Sequence, residues 1–130
     1  MRLAAAILLI VATTAISPQG TPTLRRGLIF TTWSSMDYVT ESGDVIGTEI
    51  TVVPQYLTAY VIFQCTEGAP SSPILLPAKT TATSVDFTVP ESPDQLCPGH
   101  YVGNVTPKGL ALTMGTSHEI LPRRKSYWAH

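Results

Sequence analysis

Leu57-Thr58-Ala59-Tyr60-Val61-Ile62-Phe63-Gln64-Cys65 is the stretch whose reading decides the fold. Leu57, Ala59, Val61, Phe63 and Cys65 take alternate positions and make one wholly apolar face. Thr58, Tyr60, Ile62 and Gln64 make the other, which is mixed. A period of two belongs to an antiparallel strand half buried in a sheet. Residues 45–54 read as the strand before it, joined through Pro54-Gln55, and the two form the pair against which the other strands are laid.

Working outward, Gly27 opens a strand over residues 28–34 with Trp33 near its end. Glu41-Ser42-Gly43-Asp44 is a turn cluster leading into the central pair. On the other side, Glu67-Gly68-Ala69-Pro70-Ser71-Ser72-Pro73 reads as loop. Ile74-Leu75-Leu76 lies between Pro73 and Pro77, which confines it to an edge or an irregular strand. Residues 84–89 alternate most clearly, with Val85, Phe87 and Val89 against Ser84, Asp86 and Thr88. A proline-rich loop over 91–98 carries Cys97. In residues 99–105, Tyr101 and Val105 share a face with Gly103 between them, where a bulge or tight bend is expected. Thr106-Pro107-Lys108-Gly109 turns the chain into Leu110, Leu112 and Met114. Gly115-Thr116 turns it again into residues 118–121, which Pro122 stops. The sum is about eight short strands with hairpin-length connections and no helical period after the N-terminus. The expected fold is all-β: a small antiparallel meander forming a closed or nearly closed β-barrel, with a β-sandwich as the alternative.

Residues 1–20 stand apart. Arg2 precedes the apolar run from Leu3 to Ala12, and the small residues Thr13, Thr14 and Ala15 follow. That order is the order of a secretory signal peptide. The run is too short for the roughly 20 apolar residues of a bilayer-spanning helix, and no later stretch is longer. The expectation is a protein exported to the periplasm or the extracellular space. It would be a single barrel or sandwich domain over 21–130, with no transmembrane span once the signal is removed. Losing Arg2 takes the eight basic residues to seven against nine acids, a net charge of −2. That balance gives no electrostatic reason to expect a nucleic acid partner.

Two cysteines in an exported chain pair as one disulfide. Cys65 ends the central strand and Cys97 lies 32 residues on, which the loop-entropy model values at roughly 3–4 kcal/mol. No Cys-x-x-Cys motif points to redox chemistry.

Motifs of catalysis are missing. There is no Gly-x-Ser-x-Gly, no Ser-x-x-Lys and no glycine-rich phosphate loop. His100, His118 and His130 are isolated. A metal site from His100, His118 and Glu119 would need their strands to be neighbours, and ordinary surface histidines are the simpler reading, so neither metal nor cofactor is expected. Asp37, Glu41, Asp44 and Glu49 cluster around the first hairpin and read as solvated turn acids. Asn104-Val105-Thr106 is a formal glycosylation acceptor at a strand end.

The C-terminus holds the stretch with most functional promise. Arg123, Arg124 and Lys125 run directly before Tyr127 and Trp128, a basic and aromatic pairing suited to an anionic surface or partner. The structural reading, which is preferred, has Tyr127 and Trp128 continuing the last strand to plug one end of the barrel. Trp33, Tyr38 and Tyr60 offer a second aromatic patch or simply core. Phe63-Gln64-Cys65 is similar to the aromatic-x-cysteine on an early strand of the small periplasmic lysozyme inhibitors, which share a disulfide-bonded eight-stranded build. The inhibitory loop motif of that family is absent. The resemblance therefore implies inhibition of a cell-wall hydrolase by analogy of architecture alone. The functional expectation is a non-enzymatic binding or interaction module for a protein or small-molecule ligand. The alternative is a small hydrolase with a site assembled from separate strands.

Overall fold

The computed structural model describes residues 31–55 and 58–129. The signal peptide expected over residues 1–20, Leu28 to Phe30 of the first expected strand, Leu57 and His130 lie outside them. The alternation seen in the sequence becomes nine strands: β1 (Thr32–Ser34), β2 (Asp37–Val39), β3 (Asp44–Pro54), β4 (Ala59–Pro70), β5 (Ile74–Thr80), β6 (Ser84–Val89), β7 (Gly99–Thr106), β8 (Gly109–Met114) and β9 (Ser117–Leu121). Every pairing is antiparallel, and the strands lie in the order β1-β3-β4-β5-β6-β7-β8-β9, with β2 also on β3. No helix among the described residues is long and apolar enough to cross a membrane.

β1 and β2 are two parts of one strand. Ser34 stands opposite Glu49 and Asp37 opposite Ile46, so a single register runs through both. The interruption falls where Gly47 passes Ser35 and Met36. Its φ is +118°, and a Cβ there would sit 2.7 Å from the Ser35 carbonyl oxygen. Only glycine permits that approach.

The sheet curls until its ends meet. After β9 the chain returns alongside β1: Ser34 N donates to Pro122 O at 2.9 Å, and Arg124 N donates to Thr32 O at 3.2 Å. Trp33 and Arg123 form an isolated bridge between them. The eight strands of the main path thus make a meander barrel, nearly closed, with a seam held by these few bonds in place of a full ladder.

Inward positions fill the barrel. Trp33, Ile50, Val61, Phe63, Val85, Phe87, Leu110 and Leu121 are among the side chains of one continuous buried cluster. The rings of Phe63, Phe87 and Tyr101 meet with centroids 5.1 to 5.7 Å apart, the last two stacked. Each such side chain contributes about 1.5–3 kcal/mol by leaving water.

Four expectations need correction. β4 continues to Pro70, so Glu67 to Pro70 is strand where loop was expected. Glu67 and Gly68 pair with Ile46 and Val45, which the long β3 makes available. β5 is an interior strand, paired to β4 over residues 74–78 and to β6 over 78–80. It tolerates Pro77 because the β6 partners begin only at Ala78, so the missing N–H has no ladder to serve on that side. Gly103 makes no bulge. It faces Val85 and Leu112 in unbroken register, and a Cβ would come within 2.9 Å of Val85 Cγ1. Close packing inside the barrel calls for glycine there. β2 was not foreseen at all.

Candidate functional site

The phase of alternation that puts Ile50, Phe63, Leu112 and Leu121 inside also puts Thr48, Glu67, Met114 and Glu119 inside, further along the same strands. Apolar packing stops at Cys65 and Leu112, and the strands outrun it. What remains is a recess of about 290 Å3 at one mouth of the barrel, whose lining includes Thr48, Glu67, Tyr101, Met114, Ser117 and Glu119.

One wall is the disulfide. Cys65 and Cys97 are bonded, with Cα atoms 6.3 Å apart, so β4 is tied to the loop before β7. Tyr101 Oη donates to Cys97 O at 2.8 Å and fixes the same loop. Burial, then the Glu119 carboxylate, then that of Glu67 push the Tyr101 phenol up to about 12. Tyr101 is therefore a neutral donor, already committed.

The acceptors are less committed. Glu119 Oε1 accepts a hydrogen bond from the Ser35 hydroxyl. Ser35 Oγ in turn accepts from Thr48 N at 3.0 Å, so the carboxylate is positioned through β1 and β3. Glu119 Oε2 has no protein donor among the described residues. Glu67 Oε1 lies 3.8 Å from Cys97 Sγ, but a disulfide sulfur carries no proton, and that carboxylate receives no hydrogen bond from the described residues. Thr48 is 9% exposed, and its hydroxyl has no protein partner among the described residues. No lysine or arginine lines the recess.

The metal trio is not assembled. His100 Nε2 lies 3.0 Å from Asp86 Oδ1, on a different part of the sheet surface from the mouth. His118 Nδ1 shares a hydrogen with Thr113 Oγ1 at 3.1 Å. Among the described residues one compact group of metal-ligand types exists, Cys65, Glu67 and Cys97, and both sulfurs are spent in the disulfide.

Of the clustered acids, Asp37 and Glu41 are exposed as expected, but Glu49 is 7% exposed. It belongs to β3 and points outward, beneath the C-terminal tail. Glu49 Oε1 accepts from Ser126 Oγ at 2.6 Å, and Oε2 from Tyr127 N at 2.7 Å. Beside it Trp128 Nε1 donates to Gln64 Oε1 at 2.7 Å, and Gln64 Nε2 donates to Ser71 O at 2.5 Å.

The tail is therefore a strap across the outside and not a plug. The barrel interior already holds Leu121, Leu110 and Phe63, with no room for another indole. Trp128 is 45% exposed and meets Tyr127 edge to face at 4.8 Å. Arg123, Arg124 and Lys125 are exposed and form no ion pair among the described residues. Trp33, Tyr38 and Tyr60 make no joint patch: Trp33 is inside, while Tyr38 and Tyr60 stand opposite Val45 and Val53, at the two ends of β3.

The mouth escaped the sequence reading. Its signal was the phase of Thr48, Glu67 and Glu119 on their strands, which becomes legible only once the strand lengths are known. No protein-family model, curated protein or solved structure matches the chain. The likeness to lysozyme inhibitors gains nothing from those comparisons.

Proposed function

We propose that the mature chain is an exported, non-enzymatic binding module whose ligand seats in the mouth of the barrel. The observation that carries this is a barrel packed solid through its middle and hollow at one end, where free polar groups converge. The disulfide that walls the recess suits an oxidising compartment. Catalysis has less support: the Tyr101 hydroxyl is committed to Cys97 O, and the Ser35 hydroxyl on Glu119 also accepts from Thr48 N, which ties it into the backbone as a support for that carboxylate.

The test is titration of the mature protein with anionic, neutral and cationic small molecules, followed by amide chemical shifts. At least one class should move Thr48, Thr66, Glu67 and Glu119 together. Ligands that move only the outer face would overturn the reading. Export is checked by mass spectrometry of the secreted protein, which should begin between Ile16 and Thr21.

A second reading rests on the strap. Arg123, Arg124 and Lys125 form no ion pair among the described residues, although Arg124 Nη1 donates to Met36 O at 3.3 Å, and beside a half-exposed Trp128 they suit an anionic partner surface. Charge reversal at Arg123 and Arg124 should then weaken binding in a salt-dependent way. If reversal leaves affinity for every anionic partner unchanged, this reading fails.

A further inference from the structure

We infer that the group seated in the mouth is an organic cation bearing several N–H donors, a guanidinium or a primary ammonium. This rests on the reading of the mouth as the binding site and names what it takes. Three observations carry it together: two carboxylates with unused acceptor oxygens, an inward hydroxyl that no protein donor among the described residues reaches, and the absence of any lysine or arginine in the lining.

Each polar group left over in the recess can accept. Glu67 offers a whole carboxylate and Glu119 offers Oε2. Thr48, nine-tenths buried on the inward face of β3, adds an Oγ1 that no protein donor reaches. The buried side-chain polar atom without a partner among the described residues is the Trp33 indole nitrogen, so the Thr48 hydroxyl is open at the mouth and free to meet a ligand's donor. Tyr101, the strongest donor nearby, is turned away to Cys97 O. An anion entering the mouth would meet two carboxylates with no lysine or arginine beside them, and the His118 ring of the lining is hydrogen-bonded to Thr113 Oγ1. The potential is felt by Tyr101 itself, whose raised pKa has Glu119 and Glu67 among its causes after burial.

The geometry also separates an organic cation from a bare metal ion. A metal gathers its ligand atoms into one small shell. The single compact group of ligand types here consists of the disulfide sulfurs and Glu67, without Glu119 or His118. Acceptors spread around a recess of about 290 Å3 match a planar or branched cation with donors pointing several ways. The apolar part of the lining, Leu112 and Met114, suits the alkyl stem on which such a group is carried.

The experiment uses the mature, oxidised protein and follows amide shifts and calorimetry. Its probes are agmatine, an acetylated and amidated Gly-Arg-Gly peptide, tetramethylammonium and acetate. Agmatine or the peptide should move the mouth amides, with affinity falling as salt is raised. Glu67→Gln and Glu119→Gln should each raise Kd about tenfold. Thr48→Val should raise it about threefold, and Thr48→Ser should restore it. Circular dichroism confirms that each variant is folded, and Thr48→Ser serves as the conservative check. Tighter binding of agmatine identifies a free small molecule as the source, and tighter binding of the peptide identifies a side chain of a partner protein. Tetramethylammonium binding equally well overturns the inference, because it has no N–H to donate. So does a folded Glu67→Gln and Glu119→Gln pair with unchanged Kd. If acetate or a neutral probe moves the mouth and the cations do not, the inference falls and the mouth reading survives. If nothing moves the mouth, both fall.

Discussion

Glu49 and Glu67 sit on adjacent, paired strands, and their surroundings are opposite. Glu49 faces the outside of the barrel and is buried, because the strap of Ser126 to Trp128 lies over it and satisfies both its oxygens. Glu67 follows the inward phase and is exposed, because β4 outruns the core and carries it to the open mouth with no donor in reach. In a barrel this small, the side of the sheet does not decide whether a polar group is structural. What decides is whether its hydrogen bonds are closed. A closed carboxylate holds the chain together, and an open one is available to a ligand.

The largest effect should come from the wall of the mouth. Cys97→Ser removes a bond closing 32 residues and should lower stability by roughly 2–5 kcal/mol in urea unfolding. Thiol titration of the native protein should find no free thiol, and two reactive thiols would sink the claim. The comparison itself is broken or kept by the next pair. Glu49→Ala leaves the Ser126 hydroxyl and the Tyr127 amide without their acceptor and should cost about 1–3 kcal/mol. Glu67→Ala should stay within about 0.5 kcal/mol of the parent, as an exposed side chain with no closed bond does. Equal losses at the two sites would erase the distinction between strap and mouth.

Local alternation was legible wherever packing alone sets it. Residues 84–89 form β6 as read, and the pairing of Cys65 with Cys97 follows from there being two cysteines in all. What escaped depends on partners distant in the chain. The strand character of Glu67 to Pro70 comes from the length of β3 opposite, not from its own glycine and proline. Glu49 looks like a turn acid until residues 126–127 arrive from the far end of the chain to cover it. Trp128 looked like a plug because an aromatic after a strand usually finds a core. Here Leu121 and its neighbours had already filled the space.

A smaller effect concerns Tyr101 on the mouth side of the comparison. Its folded pKa of about 12 exceeds the ordinary tyrosine value near 10. The unfolded chain therefore releases this proton first as pH rises. The stability from keeping the phenol neutral is fully present below about pH 10 and is lost between about 10 and 12. Difference absorbance between the parent and Tyr101→Phe, in the tyrosinate band, should show this group ionising after the other tyrosines. Glu119→Gln should bring its pKa down part of the way and leave the larger effect of burial. Ionisation together with the exposed tyrosines would mean that the phenol is not held in a desolvated site.

On the strap side, a small effect is expected at Trp128. A plug would cost about 3–5 kcal/mol on truncation to alanine, as large aromatics in cores do. The structure leads to a different value. The indole is 45% exposed and makes one hydrogen bond, Nε1 to Gln64 Oε1, while Gln64 keeps its other bond to Ser71 O. The strap stays fastened without it, through Ser126 and Tyr127 on Glu49 and through the backbone bonds of Pro122 and Arg124 to β1. Trp128→Ala should therefore cost about 1 kcal/mol or less, close to the net worth of one hydrogen bond. Fluorescence provides a second readout. Trp33 is 4% exposed, so in the parent the emission that iodide can quench comes from Trp128. The substitution should remove that quenchable fraction and leave the melting curve almost in place. A loss near 3 kcal/mol would instead make the indole part of the fold's support and leave the open carboxylates of the mouth as the candidate binding surface.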